Sequence, residues 1–125
     1  MFRIVLRVVS VIQIVLGLAY LFAPAAFLRL IGHSAPPPDL AYPLGMLSAR
    51  FIVYGLGLWI ASADPDRHIA WIRLMALIQA IDLGVGVYYT ALGVVPLSVS
   101  GPAMFNAVWI GLCLALMRPR TAARV

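Results

Sequence analysis

Two ionisable side chains of opposite charge, Arg50 and Asp82, lie well inside long apolar stretches of the sequence. A charge in the hydrocarbon of a bilayer is costly, so such side chains usually face the interior of a helix bundle and pair with one another. From the expected helix ends, Arg50 lies about 9–13 Å and Asp82 about 9 Å from the same membrane boundary. The sequence therefore predicts an Arg50–Asp82 ion pair within the membrane.

Four further polar side chains are predicted to join this pair. Gln79 precedes Asp82 by three residues and so lies on the same helix face. Asn106 is one turn into the last predicted helix, Gln13 is near the middle of the first, and Tyr54 completes the lining. Two interpretations stay open: a small polar pocket for an anion, a lipid headgroup or a quinone ring, or a hydrogen-bond network that fixes helix register.

No catalytic residue, metal site or cofactor is predicted. His33 and His68 fall on opposite sides of the bilayer and cannot share a metal or haem. Cys113 is the single cysteine, and no nucleophile–base arrangement can be assembled at one depth. The sequence favours a non-enzymatic protein without deciding the question.

Composition identifies the medium that surrounds these residues. Apolar residues make up 64% of the 125-residue chain and charged residues 10%, which is too little polar material to cover a soluble domain. The nine basic residues are all arginines, most of which flank apolar runs, and they form neither a basic stripe nor a stacking platform for nucleic acid. We expect a single membrane domain over residues 1–125 and no nucleic-acid partner.

The apolar runs predict an all-α, integral membrane four-helix bundle of up-down-up-down topology. A signal peptide competes for the first run, but that run is too long and contains polar residues. A short interfacial helix is expected between the first two spans, because Pro24 and Gly32 bracket a run too short to cross. Asp64 is the expected N-cap before the third span. The four spans are predicted at about 4–22, 44–61, 68–92 and 102–117.

The arginines predict the orientation. Arg29 is the single loop arginine on one side of the membrane, and seven arginines flank the opposite side. Because cytoplasmic flanks are rich in arginine, both termini are expected in the cytoplasm, with the protein in the bacterial inner (plasma) membrane. The arginines on the expected cytoplasmic side are Arg3, Arg7, Arg67, Arg73, Arg118, Arg120 and Arg124.

The order of these features resembles the DoxX-like family of small four-helix bacterial membrane proteins, over nearly the whole chain. The residues that carry the resemblance are Leu21-Phe22-Ala23-Pro24, Phe27, Gly32, Ala49-Arg50, Gly55 and Asp82. It implies a four-helix membrane fold. The named member of that family is associated with thiosulfate oxidation as a quinone-linked membrane subunit, and many relatives have no assigned activity.

Two functional hypotheses follow. The first is a non-enzymatic accessory or scaffold subunit, in a homo-oligomer or a larger membrane complex, with Arg50 and Asp82 paired and no cavity beside them. The second is a membrane binder of a small lipophilic or anionic ligand, such as a lipid or a quinone, as in a quinone-linked oxidoreductase subunit. The second predicts an open pocket beside Arg50 and Asp82.

Overall fold

The computed structural model describes residues 1–116 and confirms the predicted all-α bundle with a short helix between the first two spans. Four helices are long and apolar enough to cross a membrane, and each buries only 17–28% of its most apolar stretch against the rest of the chain. The chain is therefore a multi-pass membrane protein, and the described residues leave most of the surface of its spans uncovered. The helices are α1 (Phe2–Phe22), α2 (Pro24–Leu30), α3 (Ala41–Ala61), α4 (Ile69–Ala91) and α5 (Leu97–Leu116), and a 3-10 turn covers Pro38–Leu40.

The up-down-up-down topology gives the bundle two distinct ends. We call the end with Met1, the 62–68 connection and Leu116 the termini end. The opposite end carries α2, residues 31–40 and the 92–96 connection, and we call it the α2 end. Pro24 separates α1 from α2, because it lacks the N–H that would continue the hydrogen bonds of α1.

The first two spans, α1 and α3, pack closely through two glycines. A Cβ at Gly17 would lie 2.6 Å from Ile52 Cγ1, and a Cβ at Gly55 would lie 2.6 Å from Ile14 Cγ1. The Ser10 hydroxyl donates a 2.6 Å hydrogen bond to the Gly55 carbonyl across this contact. Small residues thus allow the two backbones to approach, as is usual between membrane helices.

The last two spans, α4 and α5, form a second hairpin by similar means. Gly86 packs against Met104, and the hydroxyl oxygens of Thr90 and Ser100 are 2.7 Å apart near the α2 end. Further along the hairpin, Gly111 lies against the side chain of Gln79.

The two hairpins meet at the termini end. Trp71 of α4 lies directly on Gly57 of α3, and its ring stacks on Tyr54 with centroids 4.9 Å apart. The apolar core lies beside this contact and contains residues from all four spans. Its fully buried members are Leu6, Val9, Leu58, Ala61, Ile72, Met75, Ile110 and Leu114.

The predicted helix ends need three corrections, and the first is that α3 begins at Ala41 rather than at residue 44. The last span begins at Leu97 rather than at residue 102, because the Pro96 carbonyl accepts hydrogen bonds from Val99 and Ser100, and Pro102 lies inside the helix. Asp64 caps a turn rather than α4, since its carboxylate accepts a 3.3 Å hydrogen bond from the Arg67 amide while α4 starts at Ile69. The predicted end of the last span at 117, and the three arginines beyond it, lie outside the described residues.

Candidate functional site

Arg50 lies in the middle of a membrane span and is exposed on the surface of the chain. It comes nine residues after Ala41, the first residue of α3, which places its Cα about 13 Å from that helix end. Its Nη1 donates a 2.9 Å hydrogen bond to the Met46 carbonyl, one turn nearer the α2 end. This single bond leaves the other guanidinium N–H donors for a partner.

Asp82 occupies the corresponding place in α4. It comes nine residues before Ala91, the last residue of that helix, so its Cα is also about 13 Å from the α2 end. Its side chain is exposed as well. The expectation that the two charges lie at one depth therefore agrees with the helix bounds.

The predicted Arg50–Asp82 ion pair is wrong. Within residues 1–116, no arginine nitrogen lies within the 4.0 Å of a carboxylate oxygen that defines a salt bridge. The physical reason is that α3 and α4 contact each other at the termini end, through Gly57 and Trp71, and leave their facing surfaces exposed toward the α2 end.

Both charges nevertheless belong to the surfaces by which α3 and α4 face each other. Arg50 is one turn before Tyr54, which stacks on Trp71 of α4. Asp82 is eleven residues, or about three turns, after Trp71. Arg50 and Asp82 thus lie on the same helix faces as the α3–α4 contact, but nearer the α2 end. There the described part of the chain leaves these faces exposed.

The remaining predicted site residues are used elsewhere. Gln13 and Gln79 are 2% and 3% exposed, and Gln79 lies in the α4–α5 contact, against Gly111. The Asn106 side-chain oxygen accepts a 3.1 Å hydrogen bond from the indole of Trp109, one turn along the same helix.

No hydrogen bond or ion pair within residues 1–116 joins any two of these six residues. Tyr54 is engaged with the ring of Trp71, the two glutamines are buried, and Arg50 and Asp82 are exposed. The arrangement also differs from a network shared by all four helices, because the side-chain hydrogen bonds found among residues 1–116 stay within one hairpin or one helix. What remains for interaction is a cation and an anion, exposed at one depth of the membrane.

Sequence reasoning missed a second polar group, at the termini end. The Arg7 Nε donates a 3.3 Å hydrogen bond to the Ser62 hydroxyl, and its guanidinium carbon lies 5.4 Å from the centre of the Trp59 ring. Predicted helix lengths already placed Arg7 and Ser62 at the same membrane boundary, so depth was the available signal. These contacts of Arg7 link α1 to the end of α3.

Within residues 1–116, no group of three or more His, Cys, Asp or Glu side chains is placed to hold a metal ion. Cys113 is half-buried in α5.

In comparisons with known proteins, no family model matches the chain, and neither a curated protein nor a solved structure matches it. The DoxX-like resemblance stays a prediction.

Proposed function

We propose that this protein is a non-enzymatic accessory or scaffold subunit that assembles with other transmembrane helices in the bacterial inner membrane, with both termini in the cytoplasm. One observation carries the proposal, and it replaces the pairing within one chain that this hypothesis predicted: Arg50 and Asp82 are exposed in the middle of membrane spans, and the described part of the chain gives neither one an ionic partner.

The energetic reason is the cost of a charged side chain near the centre of a bilayer. Insertion scales place it at about 2.5–3.5 kcal/mol for Arg or Asp. A long arginine reduces this cost by reaching toward the interface, and Arg50 bonds the Met46 carbonyl in that direction. The short side chain of Asp82 cannot reach as far. A neighbouring helix that supplies the opposite charge would offset both costs.

The large apolar surface supports the same proposal. At least seven-tenths of the most apolar stretch of each span is not buried by the rest of the chain. Exposed apolar side chains flank both charges, including Leu47 on α3 and Val85 on α4. Such a surface is available for packing against partner helices as well as lipid.

The alternative, a binder of a quinone or another small lipophilic or anionic ligand, has less support. It requires Arg50, Tyr54, Gln79, Asp82 and Asn106 to converge, and three of these five are engaged within the helix contacts described above.

Native mass spectrometry of the tagged protein, extracted gently from its membrane, tests the proposal. We expect the wild type to leave the membrane in a complex with further transmembrane polypeptides, and we expect Arg50→Leu and Asp82→Leu to lose them. Arg73→Leu and Asp66→Leu are matched controls, because both residues are exposed and lie at the termini end. These controls should retain the complex.

Two results would overturn the proposal. A monomer that carries one bound quinone or lipid, lost in Arg50→Leu and Asp82→Leu, would favour the ligand-binding alternative. A monomer without any bound partner or ligand would remove the reason to place a recognition surface at these charges.

A further inference from the structure

We propose that the partner at this surface is a second copy of the chain, and that Arg50 of each copy pairs with Asp82 of the other. This inference rests on the proposed assembly role and names its partner. It predicts a parallel homodimer in which α3 and α4 of one copy lie against α4 and α3 of the second.

The exposed charges of one chain balance each other. Each chain contributes one exposed cation and one exposed anion at about the same depth in the membrane. A two-fold axis along the membrane normal preserves depth and makes the same patch meet itself. It therefore brings Arg50 to Asp82 and Asp82 to Arg50 together, and it leaves neither ion unpaired.

Apolar side chains at matching depths lie beside the two ions. Leu47 is six residues from the start of α3 and Val85 six residues from the end of α4, so they also share a depth. Their side chains are 39% and 50% exposed. Both flank the charges on the side of the α2 end, so the same two-fold axis would pack Leu47 of one copy near Val85 of the other.

A charge exchange between separately tagged copies tests the dimer. Arg50→Asp gives a chain with two acidic residues at this depth, and Asp82→Arg gives a chain with two arginines. Each variant alone repels its own copies. When the two are co-expressed, a mixed dimer regains both ion pairs, whereas pairing within one chain would regain neither.

We expect wild-type copies with different tags to co-purify from detergent or nanodiscs, and each single variant to self-associate at least about tenfold less. Co-expression of Arg50→Asp with Asp82→Arg should restore association between unlike chains only. The double variant with both changes should associate with itself again, which shows that loss in the single variants is not a failure to fold.

Cysteine cross-linking gives an independent readout. In a Cys113→Ser background, Leu47→Cys in one tagged copy should form a disulfide with Val85→Cys in the other. The control pair is Leu56→Cys with Leu77→Cys, because these side chains are also exposed on α3 and α4 but lie more than 100° around each helix from the charge. The control pair should not cross-link.

Three outcomes would overturn the dimer. They are a monomeric wild type, single variants that self-associate as the wild type does, and unlike chains that fail to associate on co-expression. If the wild type does not bind a second copy of itself but retains a different transmembrane subunit through Arg50 and Asp82, the assembly role stands and the homodimer is wrong.

Discussion

The indole ring of Trp71 lies directly on Gly57, where a Cβ would overlap three of its ring atoms. Tyr54 stacks on the same indole at an angle of 27° between the ring planes. This contact joins α3 to α4 and therefore one hairpin to the other. It also sets where the α3–α4 contact ends and where the exposed surface with Arg50 and Asp82 begins.

We expect Gly57→Ala to weaken the joint between the hairpins. Because the new methyl group overlaps the Trp71 ring, the ring must move away, and such overpacking typically costs about 1–3 kcal/mol. Unfolding in mixed micelles of increasing SDS content, followed by tryptophan fluorescence, measures the change. Gly45→Ala is the control on the same helix, because its Cβ would meet nothing within 4 Å. Equal stability of the two variants would show that the ring contact is loose.

The α1–α3 contact should be still less tolerant of added volume. A Cβ at Gly55 would lie 2.9 Å from the Ser10 carbonyl oxygen, and one at Gly17 would lie 3.0 Å from the Ser48 carbonyl oxygen. Backbone atoms cannot rotate away as a side chain can, so the helices themselves must separate. We expect Gly17→Ala and Gly55→Ala each to lose more stability than Gly57→Ala in the same SDS unfolding measurement, toward the upper end of the range of about 1–3 kcal/mol for overpacking. Gly84→Ala on α4, with open space around its Cβ, should leave stability unchanged.

The sequence predicted the spans well, because their positions depend on apolar length alone. The third span, predicted over 68–92, is observed at Ile69–Ala91, and Pro24 ends the first span as expected. The start of the last span was placed five residues late. Pro102 suits the first position of a helix and so predicts a start there, whereas the Pro96 carbonyl accepts the hydrogen bonds of the first turn.

The site was harder to predict, because sequence gives depth in the membrane but not lateral distance between helices. Arg50 and Asp82 were placed at a common depth, and the helix bounds agree. Whether two side chains at one depth touch depends on where their helices converge. That is decided by the packing of Trp71 on Gly57 at one end of the bundle, which no periodicity in the sequence reveals.

We expect Thr90→Val to loosen the α4–α5 hairpin at the α2 end. The substitution keeps the shape of the side chain but removes the hydroxyl that lies 2.7 Å from Ser100. Hydrogen bonds between membrane helices contribute about 0.6 kcal/mol on average and at most about 1.7 kcal/mol. SDS unfolding should therefore detect a small loss of stability. Ser98→Ala, at an exposed position in the first turn of α5, is the control, and a loss as large there would point to a general effect on that turn.

The predicted orientation can be tested by cysteine accessibility in intact cells. Among residues 1–116, the arginines concentrate at the termini end, and Arg29 is the one at the α2 end. The α2 end should therefore face away from the cytoplasm. In a Cys113→Ser background, Ser34→Cys marks the α2 end and Ala63→Cys marks the termini end, both at exposed positions. A membrane-impermeant maleimide should label Ser34→Cys in cells with a permeabilised outer membrane, and Ala63→Cys only after lysis. The reverse pattern would place the termini outside. Labelling of both positions in intact cells would indicate dual insertion. Dual insertion would bring antiparallel copies together and remove the basis for a parallel dimer.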